Sequence, residues 1–152
     1  MREILFKAKS TDNGEWVEGL LIIMFGQHHI QKWRSENIAY SIDPKTICQY
    51  TGLTDKNGKW ILENDILRGH GNDKDLSKVA FGEFGVIDAE TLSIVDNVIG
   101  WHYEPISTDA LSKCYPFCSP MPLTNYYIDR CEFEVIGNIF DNPELLEEEE
   151  DE

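Results

Sequence analysis

The sequence predicts a mainly β protein: a small barrel or roll preceded by a β-hairpin. Three observations carry this. Short segments rich in β-branched and aromatic residues recur along the chain. Clusters of Gly, Asn and Asp punctuate them at short intervals. The stretch Cys114 to Pro122 holds three prolines, Pro116, Pro120 and Pro122, which argue against helix and central strand alike.

Taken in order, Ile4 to Lys9 reads as a first strand, and Asp12-Asn13-Gly14 as a turn whose Gly takes positive φ at little cost. Trp16 to Phe25 then returns as a longer strand, completing the opening hairpin. His29 to Trp33 alternates as a third strand, and Pro44 breaks the chain before Thr46 to Thr51. Asp55-Lys56-Asn57-Gly58 is a turn signal ahead of a short apolar element, Trp60-Ile61-Leu62. Ile66 to Arg68 follows, then an exposed loop from Gly69 to Asp75. Val79 to Ile87 and Leu92 to Tyr103 read as strands of a meander. Ser107 to Lys113 allows a short helical turn, and Asn125 to Asp129 is ambiguous. Glu132 to Phe140 is the final strand. Asp141-Asn142-Pro143-Glu144 then offers a cap, Pro at the first helical position and acid in the first turn, the start of a short helix.

Charge limits the function classes. The 152 residues carry 13 Lys plus Arg against 28 Asp plus Glu, a net charge of −15. A diffuse basic surface for duplex nucleic acid or anionic lipid is disfavoured, so direct nucleic-acid binding is not expected. Glu147 to Glu152 form an acidic tail of the kind that is usually solvated. The N-terminus turns charged too soon for a signal peptide, and no apolar run approaches the about 20 residues that span a bilayer. The expectation is a cytoplasmic protein with no membrane contact, its four cysteines reduced.

Candidate chemistry is sparse. His102-Tyr103-Glu104-Pro105 followed by Cys114-Tyr115-Pro116-Phe117-Cys118 has the residue types of a zinc deaminase signature. The spacing departs from it: three residues separate the cysteines, and the proline lies between them rather than before them. A structural zinc site would draw on His102, Cys114, Cys118 and Cys131, since tetrahedral zinc accepts three Cys and one His. The reading adopts the plainer alternative, free cysteines packed as small apolar residues, with no metal and no cofactor. His28 and His29, adjacent on a strand, point to opposite faces and do not chelate one ion. No phosphate-cradling Gly loop and no nucleophile elbow appears. Trp16, Trp33, Trp60 and Trp101 lack interleaved Lys and Arg and are expected in the core rather than on a stacking platform.

Three blocks carry a resemblance. Ile42 to Lys59 with Ile61-Leu62-Glu63-Asn64-Asp65-Ile66, the opening Phe6 to Lys9 with Gly14 to Gly19, and the close Glu134 to Leu145 together resemble the YopX family of phage and prophage proteins. The chain departs from the family where Cys48 and Asn64 stand in place of Gly. Residues 69 to 130 carry little of the likeness. The resemblance implies an SH3-type roll in the C-terminal part, a phage or prophage origin and expression in the cytoplasm of the bacterial host. It brings no catalytic residue to carry over. Asp55, Asn57 and Gly58 read as a turn, Asp65 as a carboxylate bonding backbone N–H groups at a strand entry, and Gly137-Asn138 as a bulge or kink in the last strand.

The expected layout is an N-terminal hairpin or meander over 1–51, an SH3-like β domain over 52–142, and a short helix with the acidic tail over 143–152. The expected function is non-enzymatic: an accessory protein that binds a host or phage protein through a β surface or strand edge, or pairs with itself through such an edge. One alternative is an acidic charge mimic that occupies a nucleic-acid-binding protein. The other is a zinc-binding protein or enzyme.

Overall fold

The computed structural model describes residues 2–32, 38–107 and 119–146. The chain divides into two compact units, Met1–Gly52 and Leu53–Glu152.

In the first unit, β1 (Phe6–Lys9), β2 (Trp16–Met24), β3 (Gln27–Lys32), β4 (Ala39–Ser41) and β5 (Cys48–Thr54) form an antiparallel sheet of order β4-β3-β2-β1-β5. Alternation places Ala8, Val17 and Ile30 on one face, where they make a small core with Ile42. Gly14, at φ +70°, closes the β1–β2 connection. The β2–β3 turn is Phe25-Gly26, with both residues at positive φ, the geometry that continues the strand twist through a two-residue hairpin. A 3-10 turn over Pro44–Thr46 precedes β5. Thr46 ties it to β1: its hydroxyl donates to the Asp43 carbonyl (2.7 Å) and accepts from the Lys9 N–H (2.8 Å).

The second unit opens with the turn at residues 55–59, after which β6 (Trp60–Leu62) runs beside the end of β5. β7 (Asp65–Arg68), β8 (Leu76–Ile87), β9 (Ile94–Ser107), β10 (Met121–Pro122) and β11 (Glu134–Asn138) form a sheet of order β10-β9-β8-β7-β11. Its core is Ile61, Leu67, Val79, Tyr103, Leu123, Ile128 and Phe133. Tyr103 lies edge-on to Phe133 at 4.9 Å, a favourable aromatic geometry. The helix α1 (Asn125–Cys131) supplies Ile128. Thr124 caps it by accepting from the Tyr127 N–H, and Glu132 ends it in the left-handed conformation at φ +51°.

The structure amends the sequence reading in several places. The described strands make two open sheets, not a closed barrel. The edge strands β10 and β11 are not neighbours; β10 is two residues long and contains Pro122, which has no N–H to give to a further strand. The ambiguous segment is α1. The final strand is shorter than expected, because Asn138 turns the chain. The helix at Pro143–Leu146 is a 3-10 turn. Trp101 is half-buried and packs against the core of the second unit, as expected, whereas Trp16 is half-buried outside the first unit's core cluster and Trp60 is exposed. The Lys7 and Lys9 ammonium groups lie 4.4 and 5.3 Å from the Trp16 ring centroid, so here basic residues do accompany an aromatic ring. Trp33, the turn expected over Ser107 to Lys113, and the tail lie outside the described residues.

Candidate interaction surface

The six residues singled out for their turns and strand entries all lie in the second unit. Asp55 is buried, and its carboxylate accepts three backbone N–H groups: Asn57 (2.8 Å) and Lys59 (2.9 Å) at Oδ1, and Val135 (2.9 Å) at Oδ2. It therefore closes its own turn and fastens that turn to β11. Gly58 sits in the same turn at φ +80°. Asp65 accepts the Leu62 N–H at 2.8 Å across the tight β6–β7 connection, in which Asn64 is left-handed at φ +67°. In β11 the register shifts between Val135 and Gly137, leaving Ile136 as the extra residue of the bulge. Asn138 accepts from the Phe140 and Asp141 N–H groups through Oδ1 (3.0 and 2.9 Å). These contacts hold strands and turns together.

Of the four metal candidates, His102 and Cys131 lie among the described residues. Both ring nitrogens of the buried His102 have partners, Nδ1 with the Gly100 carbonyl (3.1 Å) and Nε2 with Glu104 (2.9 Å), and its ring stacks on Phe84 at 4.7 Å. Cys131 is half-buried; burial pushes its thiol above the ordinary range, and a hydrogen bond with Tyr103 pulls the other way. Burial, and then Cys131, raises Tyr103 further still. A thiol so placed is the opposite of an activated nucleophile. Cys114 and Cys118 lie outside the described residues. Among the described residues, no three His, Cys, Asp or Glu side chains are grouped to hold one ion. His28 and His29 alternate across β3.

The surface that stands out is the β8–β9 hairpin. β7 covers β8 only from Leu76 to Lys78, and β10 covers β9 only at His102 and Tyr103. Beyond those points, among the described residues, Gly82 to Ile87 and Ile94 to Gly100 pair only with each other, as a two-stranded ribbon with both backbone edges open. One face continues the core face outward. Val79 and Tyr103 are a buried pair; the next pair on that face is Phe81 and Trp101, edge-on at 5.0 Å; then come Glu83 and Ile99. Further out, the Ile94 side chain lies over Gly85. Residues patterned as core thus run past the end of the core: Phe81 is 56%, Ile94 60% and Ile99 74% exposed. Val95, the extra residue of a bulge beside Ile94, is 61% exposed.

Charge sets this ribbon apart. From Val79 to Ser107 there is no Lys and no Arg, while Glu83, Asp88, Glu90, Asp96 and Glu104 all lie in that span. Two backbone N–H groups, of Thr91 and Glu90, hold the Asp88 carboxyl below the usual carboxylate range. The first unit has six Lys plus Arg against six Asp plus Glu; the second has seven against 22, so the entire net charge of −15 lies in the second.

The first unit has an exposed tip of its own. Phe25 in the β2–β3 turn is 100% exposed and left-handed, flanked by exposed Ile23 and Met24. A bulky residue with no packing, held in a disfavoured conformation, marks a position worth testing for contact with a partner. Sequence reasoning passed over both tips. The signals present were the missing positive charge across 79–107 and an apolar Met24-Phe25 pair where a turn residue was due.

Sheets of this kind, with an overhanging apolar ribbon and turns closed by buried carboxylates, define a mainly β protein that presents extended backbone to its surroundings. The chain belongs to the YopX family: the family model described as YopX protein matches residues 5–147, nearly the whole chain. No curated protein matches it. Among the described residues, no helix is long and apolar enough to cross a membrane.

Proposed function

We propose that this is a phage-associated accessory protein without enzymatic activity, acting in the host cytoplasm by binding a host or phage protein through the β8–β9 ribbon. The observation that carries the reading is the ribbon's run of exposed core-type side chains between two open backbone edges. Water-exposed Ile99, Ile94 and Phe81 gain by burial at about 25 cal/mol per Å², and open edges accept a further strand. Membership of the YopX family supports the phage association. The strand order supports an SH3-type roll in the second unit: a β7-β8-β9-β10 meander, with β11 returning beside β7.

The test is a tagged pull-down from host lysate at low and high salt, comparing the parent chain with an Ile94→Ser/Ile99→Ser variant. A partner retained by the parent and lost by the variant at both salts supports the reading. Partners indifferent to the variant refute it.

A second reading, acidic mimicry of nucleic acid, is favoured by the confinement of all net charge to the second unit. It expects binding that fails at high salt and on deletion of Glu147 to Glu152, whatever stands at Ile99.

A further inference from the structure

Resting on the ribbon reading, we propose what the ribbon's occupant is: an extended segment of a partner protein in which apolar residues alternate with Lys or Arg, added as a strand along the β9 edge from Ile94 to Gly100. Three features converge on that chemistry. The backbone of this stretch pairs on one side only, among the described residues, so an added strand gains main-chain hydrogen bonds. Side chains on an added strand alternate, and one set would lie on the face of Ile94, Ile99, Phe81 and Trp101, extending that apolar strip. The other set would lie on the opposite face of β9, that of Val98 and Asp96, while Glu83 stands beside Ile99 on the apolar face, and here charge enters. Glu83, Asp88, Glu90 and Asp96 make no ion pair with any Lys or Arg among the described residues, and none occurs between Val79 and Ser107 to meet them.

The same charges argue against a second copy of this chain as the occupant. Two ribbons edge to edge would bring together two acidic strands, each carrying Asp96 on the shared edge, with no Lys or Arg between Val79 and Ser107 of either to offset them. A basic segment turns that repulsion into attraction and speeds encounter at low salt. A strand of about six residues matches the open edge.

The test selects a displayed library of random linear peptides on the full chain, on the Ile94→Ser/Ile99→Ser variant, and on a Glu83→Lys/Asp96→Lys variant. Amide hydrogen exchange is then measured with the best selected peptide. The proposal expects selected peptides in which Ile, Val or Phe alternate with Lys or Arg. It expects slowed exchange across Ile94 to Gly100, and affinity at least about tenfold weaker for the serine variant. The lysine variant should shift selection toward acidic peptides. Neutral or acidic peptides that still require Ile94 and Ile99 would overturn the basic chemistry while leaving the ribbon as the binding surface. Selection indifferent to the serine variant, or no selection at all, would overturn both. A parent dimer in sedimentation that the serine variant dissolves would show that a second copy takes the edge, against the proposal.

Discussion

Replacing Asp55 by Ala should destabilise the second unit by about 3 kcal/mol. The magnitude follows from its three acceptor bonds. A hydrogen bond to a charged acceptor contributes about 1.5–3 kcal/mol net. Two of the donors, the Asn57 and Lys59 N–H groups, belong to a surface turn where water takes over part of the bond. The third, from Val135, comes from half-buried β11 and loses its partner outright. Asp55→Asn keeps the volume and one oxygen but sets an amide N–H against a backbone donor, for a smaller loss of about 1–2 kcal/mol. The assay is urea unfolding followed through the methyl signals of Leu67 and Val79, which report the second unit by itself. With a slope of about 2 kcal/mol per molar, the Ala variant's midpoint falls by about 1.5 M. A midpoint within about 0.3 M of the parent would refute the reasoning, because a triply bonded buried carboxylate cannot be removed so cheaply.

Further outcomes follow from other contacts. A Cβ at Gly137 would stand 2.7 Å from the Asn142 side-chain carbon, so Gly137→Ala must displace that amide from the Asn138 N–H; a loss of about 1–3 kcal/mol is expected in the same unfolding assay. Glu134 is held below the ordinary glutamate range first by its hydrogen bond from Arg68. Its stabilising effect is full above the unfolded-state pKa and is lost as pH falls through the lower folded value, so Glu134→Gln should flatten the acid limb of the stability profile. Phe25→Asn places a residue tolerant of left-handed geometry before Gly26 and should stabilise the first unit by about 0.5–1 kcal/mol in thermal unfolding, since the exposed ring gives up no packing. Cys131, its thiol raised by burial, should react with iodoacetamide at pH 8 more slowly than a free cysteine; an equal rate by mass spectrometry would contradict the packing described.

Much of the strand plan is legible in the sequence, because alternation and turn residues are local signals. Asp12 to Gly14 and Asp55 to Gly58 announce their turns, and Trp16 to Met24 is rich in the aromatic, β-branched and other apolar residues of a strand. The segment Asn125 to Cys131 is harder: its tyrosines favour strands, and only the Thr124 cap, with its hydroxyl on the Tyr127 N–H, decides for helix. Gly137-Asn138 marks an irregularity in the last strand, but that the extra residue is Ile136, with the register shift ending at Gly137, depends on β7, a long way back in the chain. The ribbon was legible as two strands but not as a surface. Phe81, Ile99 and Ile94 repeat the pattern of buried Val79 and Tyr103, and a strand's own sequence does not record where its neighbours stop. The four-residue length of β7 beside the twelve of β8 was the available clue.

The pairing of β11 with β7 also sets an order of assembly. Arg68 and Glu134 are joined across 66 positions, and the meander between them must be threaded before that bond can form. At a synthesis rate of about 5–20 residues per second, several seconds separate the emergence of β7 from that of its partner. The first unit closes over a shorter span, its β1 waiting for β5 where Phe6 pairs with Gln49. Over that interval the β7 edge and the apolar β8–β9 strip are exposed together. A chaperone would meet this polypeptide there, and slowing translation after Ser107 should lengthen its hold.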